Sequence, residues 1–133
     1  RHKNIFTFSM HCENNFPLKK MKSDLDVPLM KGLKDEDYLN ILYSNIKILD
    51  SVKWDLILFQ AGVDILVNDS LGYLEISREG IKRRNEIILS LAKKKNLPLV
   101  VFMGGGYSKP IKYSVNAFTD LFIQCSESAK NFK

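Results

Sequence analysis

Three short apolar runs, Ile5 to Met10 (IFTFSM), Trp54 to Phe59 (WDLILF) and Leu97 to Phe102 (LPLVVF), punctuate the chain. They are rich in β-branched and aromatic residues and short enough to be strands rather than helices. Between them the pattern changes to a helical period. Leu39, Leu42, Ile46 and Leu49 recur at spacings of three and four, behind an Asp35 N-cap followed by Glu36 and Asp37, acids that suit a helix N-terminus. Ser77 is the N-cap of a second helix whose buried side is Ile81, Ile88, Leu91 and Ala92, and Asn96 followed by Pro98 ends it. Val115 to Ile123 predicts a third helix. His11 to Lys34, with Pro17, Pro28 and Gly32, is predicted as one long loop. Loops beyond about 12–15 residues usually serve a site or are disordered, and this one leaves the first strand at the rim where the other strands also end.

The order β-loop-α-β-α-β-α predicts an α/β fold with a mainly parallel sheet and right-handed crossovers. Such sheets bind ligands beyond the carboxyl ends of their strands. Two strings arrive there: Gln60-Ala61-Gly62-Val63-Asp64 after the second strand and Met103-Gly104-Gly105-Gly106-Tyr107 after the third.

Composition narrows the class. The 133 residues fit one domain, without a visible repeat or second unit, and can bury roughly two-thirds of their unfolded surface. No apolar run nears the ~20 residues of a membrane span, and the start, Arg1-His2-Lys3-Asn4, carries neither a signal-type segment nor an initiator Met. The chain is therefore expected to begin inside a longer protein. The net charge of +5 is dispersed. Its densest run, Lys93-Lys94-Lys95, falls in the last turn of the second helix, where cations complement the dipole. Basic and aromatic residues are not interleaved as in single-strand binders, so direct nucleic-acid binding is not expected. Cys12 and Cys125 match no zinc or redox spacing and read as free thiols in a reducing, by default cytoplasmic, compartment.

Each candidate residue admits a structural and a chemical role. Asp64 is either an acid bonding its own turn or a metal ligand. Asp69 reads as an acid bracing its loop. Gly104-Gly105-Gly106 could form a phosphate cradle, although Ser108-Lys109 has the wrong order and spacing for a P-loop; alternatively it permits close approach of backbone to substrate. Tyr107 is either an aromatic plug or a donor to a carbonyl oxygen gaining negative charge. Phe16 is either an apolar wall or an anchor for its loop. His11 reads as a hydrogen-bonded strand-end residue, and His2 is assigned no role. No nucleophilic triad stands out.

Taken together, FTFSMHCENNFP (6–17), SDLDVPL (23–29), DEDYL (35–39), QAGVDILVNDSLGYLEIS (60–77) and MGGGY (103–107) resemble the histone deacetylase superfamily, nearest its bacterial-type and class IV branch. The resemblance implies a three-layer α/β/α arrangement, the arginase/deacetylase fold, with residues 1–133 as a single partial domain from its C-terminal portion. It implies Asp64 as a zinc ligand and Tyr107 as the catalytic hydrogen-bond donor to the acyl oxygen. Phe16 and Leu71 would line opposite walls of the acyl-lysine tunnel, with Gly105 and Gly106 along the substrate channel. Ser9 and Met10 would help hold a structural monovalent cation such as K+. Zn2+ is the implied cofactor, and an acetylated lysine or small acetylated amine the implied substrate. The family's Asp-x-His pair and adjacent histidines have no counterpart here, so the chain alone is expected to be inactive and to hold no stoichiometric zinc. Asn85 stands where relatives often carry Asp and is expected on the helix surface. Two other readings compete with the enzyme: a phosphate- or nucleotide-binding module using Gly104 to Gly106, and a non-catalytic interaction surface.

Overall fold

The computed structural model describes residues 3–130; His2 lies outside them. Seven elements follow in order: β1 (Phe8–Cys12), β2 (Leu25–Leu29), α1 (Asp35–Asp50), β3 (Ile57–Gln60), α2 (Arg78–Lys95), β4 (Leu99–Phe102) and α3 (Lys112–Lys130). The fold is α/β, and both strand pairs are parallel. β1 pairs with β2, Phe8 opposite Leu25, and β3 pairs with β4, Ile57 opposite Leu99.

The supposed loop from His11 to Lys34 contains β2. Leu25, Val27 and Leu29 turn inward while Asp26 and Pro28 face out, the two-residue period of a half-buried strand. The Thr7 carbonyl accepts from the amides of Asp24 and Leu25 (3.1 and 3.0 Å), which starts the pairing. β1 accordingly begins at Phe8 rather than Ile5 and runs on through His11 and Cys12. Ile5 and Phe6 are exposed, and Phe6 packs instead on Trp54, with ring centroids 5.4 Å apart. Trp54 precedes β3, and its indole N–H donates to the Leu49 carbonyl (2.8 Å) near the end of α1.

Asp35 is not the N-cap of α1. Lys34 occupies that position and provides no side-chain cap. The Asp35 carboxylate accepts instead from the Ser77 amide (2.7 Å) and hydroxyl (2.5 Å), joining the start of α1 to the start of α2. Ser77 caps α2 by accepting from the Gly80 amide (3.0 Å), and Asn96 closes that helix in the left-handed conformation, φ 51°. α3 extends beyond the expected Val115 to Ile123 at both ends.

α2 packs against both α1 and α3, and the core gathers Leu29, Leu39, Leu42, Val63, Ile76 and Ile81. The two strand pairs are separate ladders, with a cleft of about 360 Å³ between them, lined among others by Phe8, Met10, Phe59 and Tyr38. On β3 and β4 one face, with Ile57 and Phe59, is half-buried. The opposite face leaves Leu58 63% and Phe102 47% exposed, with Val100 beside them. No helix among the described residues is long and apolar enough to cross a membrane.

An uncovered apolar row beside open strand edges favours association between chains. Leu58→Lys and Phe102→Lys in this chain are expected to leave unfolding free energy within about 0.5 kcal/mol of the parent. The same changes should lower self-association, as measured by sedimentation velocity.

Candidate functional site

The loops after β3 and β4 are locked together at one atom. The Gly105 carbonyl accepts from the amides of Val63 (2.6 Å) and Asp64 (3.1 Å), just beyond the last ladder bond, Ala61 N–H to the Phe102 carbonyl (2.9 Å). Asp69 holds the next turn of the same rim. Its Oδ1 accepts from the amides of Leu71 (2.9 Å) and Gly72 (2.8 Å), and its Oδ2 accepts from the Tyr107 amide (2.6 Å). The Ser70 hydroxyl donates to the Tyr107 carbonyl (2.6 Å). Tyr107 is thus fixed through its backbone, while its side chain stays half exposed.

This arrangement brings Asp64 and Tyr107 to one point. A Cβ placed on Gly105 would overlap the Asp64 carboxylate and lie 3.1 Å from Tyr107 Cε2, so only hydrogen leaves room for both groups. Gly72 is as tightly bound by its surroundings: a Cβ there would run into the backbone carbonyl of Asp64. The triple glycine does not form an anion nest, which uses a left-handed residue or turn to aim successive N–H groups at one ligand. Among the described glycines only Gly32 has a left-handed φ, 77°, and the Tyr107 N–H is already taken by Asp69.

Asp64 is partly withdrawn from water, and that burial pushes its carboxyl above the usual carboxylate range. The negative charge of Asp69 adds to the rise, while a bond to its own amide and the nearby Arg84 oppose it. Arg84 is the residue that sequence reasoning missed. Its guanidinium is buried under the Asp64 loop, donating to the carbonyls of Gly62 (2.6 Å) and Ala61 (3.3 Å) and to Asn85 Oδ1 (2.8 and 3.1 Å). The Phe59 ring lies 5.4 Å from it, and Tyr38 and Asp64 are its electrostatic partners. The signal was present: Arg84 falls on the apolar stripe itself, three residues after Ile81 and four before Ile88. Asn85 is fully buried, not on the helix surface, and its amide donates to Gln124 Oε1 (3.0 Å). α2 lies between α1 and α3, so residues on several of its sides meet protein.

The remaining candidates spread around the rim. Phe16 is 91% exposed and Leu71 59%. Gly106 turns toward Val63 and Phe118. Ser9 and Met10 line the cleft between β1 and β3, as does Asp64, and Ser9 Oγ hydrogen-bonds His11 Nδ1 (2.8 Å). Cys12 is buried and Cys125 half-buried, both free thiols, with burial pushing the Cys125 thiol up. Among the described residues no three His, Cys, Asp or Glu side chains gather. Structural and catalytic zinc sites use at least three protein ligands, so these residues do not by themselves fit that ion.

A histone deacetylase domain model matches residues 1–122. The chain belongs to the histone deacetylase domain family. An uncharacterized protein of Picosynechococcus sp. is 46% identical over 80% of this chain and 36% of its own length. Histone deacetylase 2 of Arabidopsis thaliana is 38% identical over 65% of this chain and 22% of its own. The structure of a deacetylase homolog from Aquifex aeolicus superposes with a TM-score of 0.73 at 25% identity, over 93% of this chain and 35% of that one. The acetylpolyamine aminohydrolase of Burkholderia pseudomallei shares the fold, with a TM-score of 0.70 at 18% identity over 86% of this chain and 36% of that one. The chain therefore spans about a third or less of the relatives it matches.

Two outcomes follow from this geometry. Gly72→Ala is expected to cost about 3 kcal/mol, because the added methyl meets backbone that cannot swing aside; chemical denaturation measures it. Asp64 has a raised folded-state value, so its contribution to stability is intact below the unfolded value of about 3.9 and is lost as pH rises through the folded one. In metal-free buffer Asp64→Asn should melt above the parent at pH 7 and converge with it below about pH 4.

Proposed function

We propose that this chain supplies the oxyanion donor and one metal-binding carboxylate of an N-acyl amide hydrolase, with Zn2+ as the metal and an acetylated lysine or small acetylated amine as substrate. The observation that carries this reading is the meeting of the Asp64 carboxylate and the Tyr107 ring at Gly105. The deacetylase and acetylpolyamine aminohydrolase names of its relatives support the substrate class. Asp64 would be one ligand to the zinc, with the others contributed from outside the described residues. Ser9 and Met10 are the proposed contacts of a structural monovalent cation, K+.

In this reading the Tyr107 hydroxyl donates to the acyl oxygen as negative charge builds there in the tetrahedral transition state. A donor fixed in advance works without reorganising, and losing one typically lowers kcat by about 10²–10³. The Asp69 and Ser70 bonds to the Tyr107 backbone fix where that hydroxyl starts from. Residues 1–133 form, on this reading, a single partial domain that is inactive alone. The phosphate-binding alternative is not favoured, since none of Gly104 to Gly106 is left-handed and the following Tyr107 N–H is taken by Asp69.

In the full-length protein, Tyr107→Phe is expected to lower kcat on an acetyl-lysine peptide by about 10²–10³ with zinc content unchanged by elemental analysis. Undiminished turnover would remove Tyr107 from the chemistry.

A further inference from the structure

Arg84 stands on the apolar stripe of α2, between Ile81 and Ile88, and is buried. A guanidinium is costly to withdraw from water, and an apolar side chain of similar volume would serve packing as well or better. What distinguishes the arginine is where its donors go. Asn85 Oδ1 accepts from both Nε (3.1 Å) and Nη2 (2.8 Å), and the Phe59 ring lies 5.4 Å from the guanidinium carbon. Those contacts fix the plane of the fork. Nη1 is thereby aimed at the Gly62 carbonyl (2.6 Å), and Nη2 also reaches that of Ala61 (3.3 Å).

The Gly62–Val63 peptide is consequently held from both sides. Its carbonyl accepts from Arg84, and its N–H, that of Val63, donates to the Gly105 carbonyl (2.6 Å). Hydrogen bonds in series through one peptide polarise one another, and a charged donor at the head strengthens the series. Arg84 is thus two hydrogen bonds away from the oxygen that joins the loops after β3 and β4. Gly62 also abuts the corner directly: a Cβ on it would lie 2.9 Å from Asp64 Oδ1 and 3.2 Å from the Gly105 amide nitrogen. A tilt of this peptide would shift Gly105, and with it the place where the Tyr107 ring meets the Asp64 carboxylate.

We propose that Arg84 is a positioning residue that holds Tyr107 in register with Asp64 by clamping the Gly62–Val63 peptide. The inference rests on the deacylase reading above and adds to it a residue on which the geometry of the reacting groups depends. Arg84 itself acts only through the main chain of the corner. A lysine at this position keeps the charge but has no planar fork to grip two successive carbonyls. A methionine keeps neither. Displacing a reacting group by about 1 Å costs about 10²-fold in rate, so a loosened clamp is readable in turnover.

The test measures kcat and KM on an acetyl-lysine peptide in the full-length protein, per folded molecule, and follows hydrogen exchange at the Val63 and Asp64 amides. Arg84→Met is expected to lower kcat by about 10²-fold, to leave KM within about threefold of the parent and to speed exchange at both amides. Arg84→Lys should recover part of the lost kcat. In a Tyr107→Phe background the Arg84→Met loss should shrink, because both substitutions act on the same donor. Losses that multiply in full in that background, or an unchanged kcat in Arg84→Met, overturn the proposal. Failure of both Arg84 variants to accumulate as folded protein assigns the residue to the fold alone and overturns it too. If the parent protein does not cleave the peptide, the deacylase reading falls and takes this inference with it; an active parent whose kcat ignores Arg84 defeats the inference alone.

Discussion

One carbonyl oxygen organises this rim. Gly105 accepts two consecutive amides, Val63 and Asp64, and so converts two independent strand ends into one rigid corner. Parallel strands deliver their carboxyl ends to the same side, but pairing alone does not dictate where the following loops go. The double acceptance does, because it prolongs the β3–β4 ladder past Gln60 and Phe102. Asp69 repeats the device one turn later with a carboxylate as acceptor, holding Leu71, Gly72 and Tyr107. The absence of a side chain at Gly105 then allows a carboxylate and a phenol to share the space over its Cα.

Beneath that corner lies a buried cation. Removing a guanidinium from water is costly unless its donors are satisfied, and Arg84 satisfies them on the carbonyls of Ala61 and Gly62 and on Asn85. These are groups that would themselves be orphaned in an apolar environment, each at about 1–3 kcal/mol. With the amide of Asn85 rather than a carboxylate beside it, Arg84 has Asp64 as its acidic partner. Helix α2 thereby supports the loop from below, and Gln124 of α3 extends the same network by way of Asn85.

Much of this was legible along the chain because it is local. The Ser77 cap and the Asn96 terminus each depend on a residue and its neighbours a few positions away, and both stand where expected. Asp69 in Asn-Asp-Ser-Leu-Gly was readable as a brace for its own turn for the same reason. What escaped reading was non-local or disguised. β2 carries an Asp and a Pro among five residues, and what makes it a strand is β1 alongside it. Asp35 has the composition of a cap, yet a serine on another helix outcompetes its own backbone for the carboxylate. Arg84 and Asn85 look like surface residues by type; the turn at Ala61 and Gly62 covers Arg84, and Gln124 of α3 meets Asn85. The second oxygen of Asp69 reaches a partner that no spacing rule indicates.

The two ladders differ in how much chain each must close. β1 and β2 are joined by a short connection, with Thr7 and Asp24 already bonded at its mouth, whereas β3 and β4 are separated by the rim loop and the whole of α2. Loop-closure entropy rises with the length enclosed, and non-local pairing slows folding. The first ladder therefore closes at the lower entropic cost. The second encloses α2, which makes packing of that helix around Arg84 a condition for the corner at Gly105 to form.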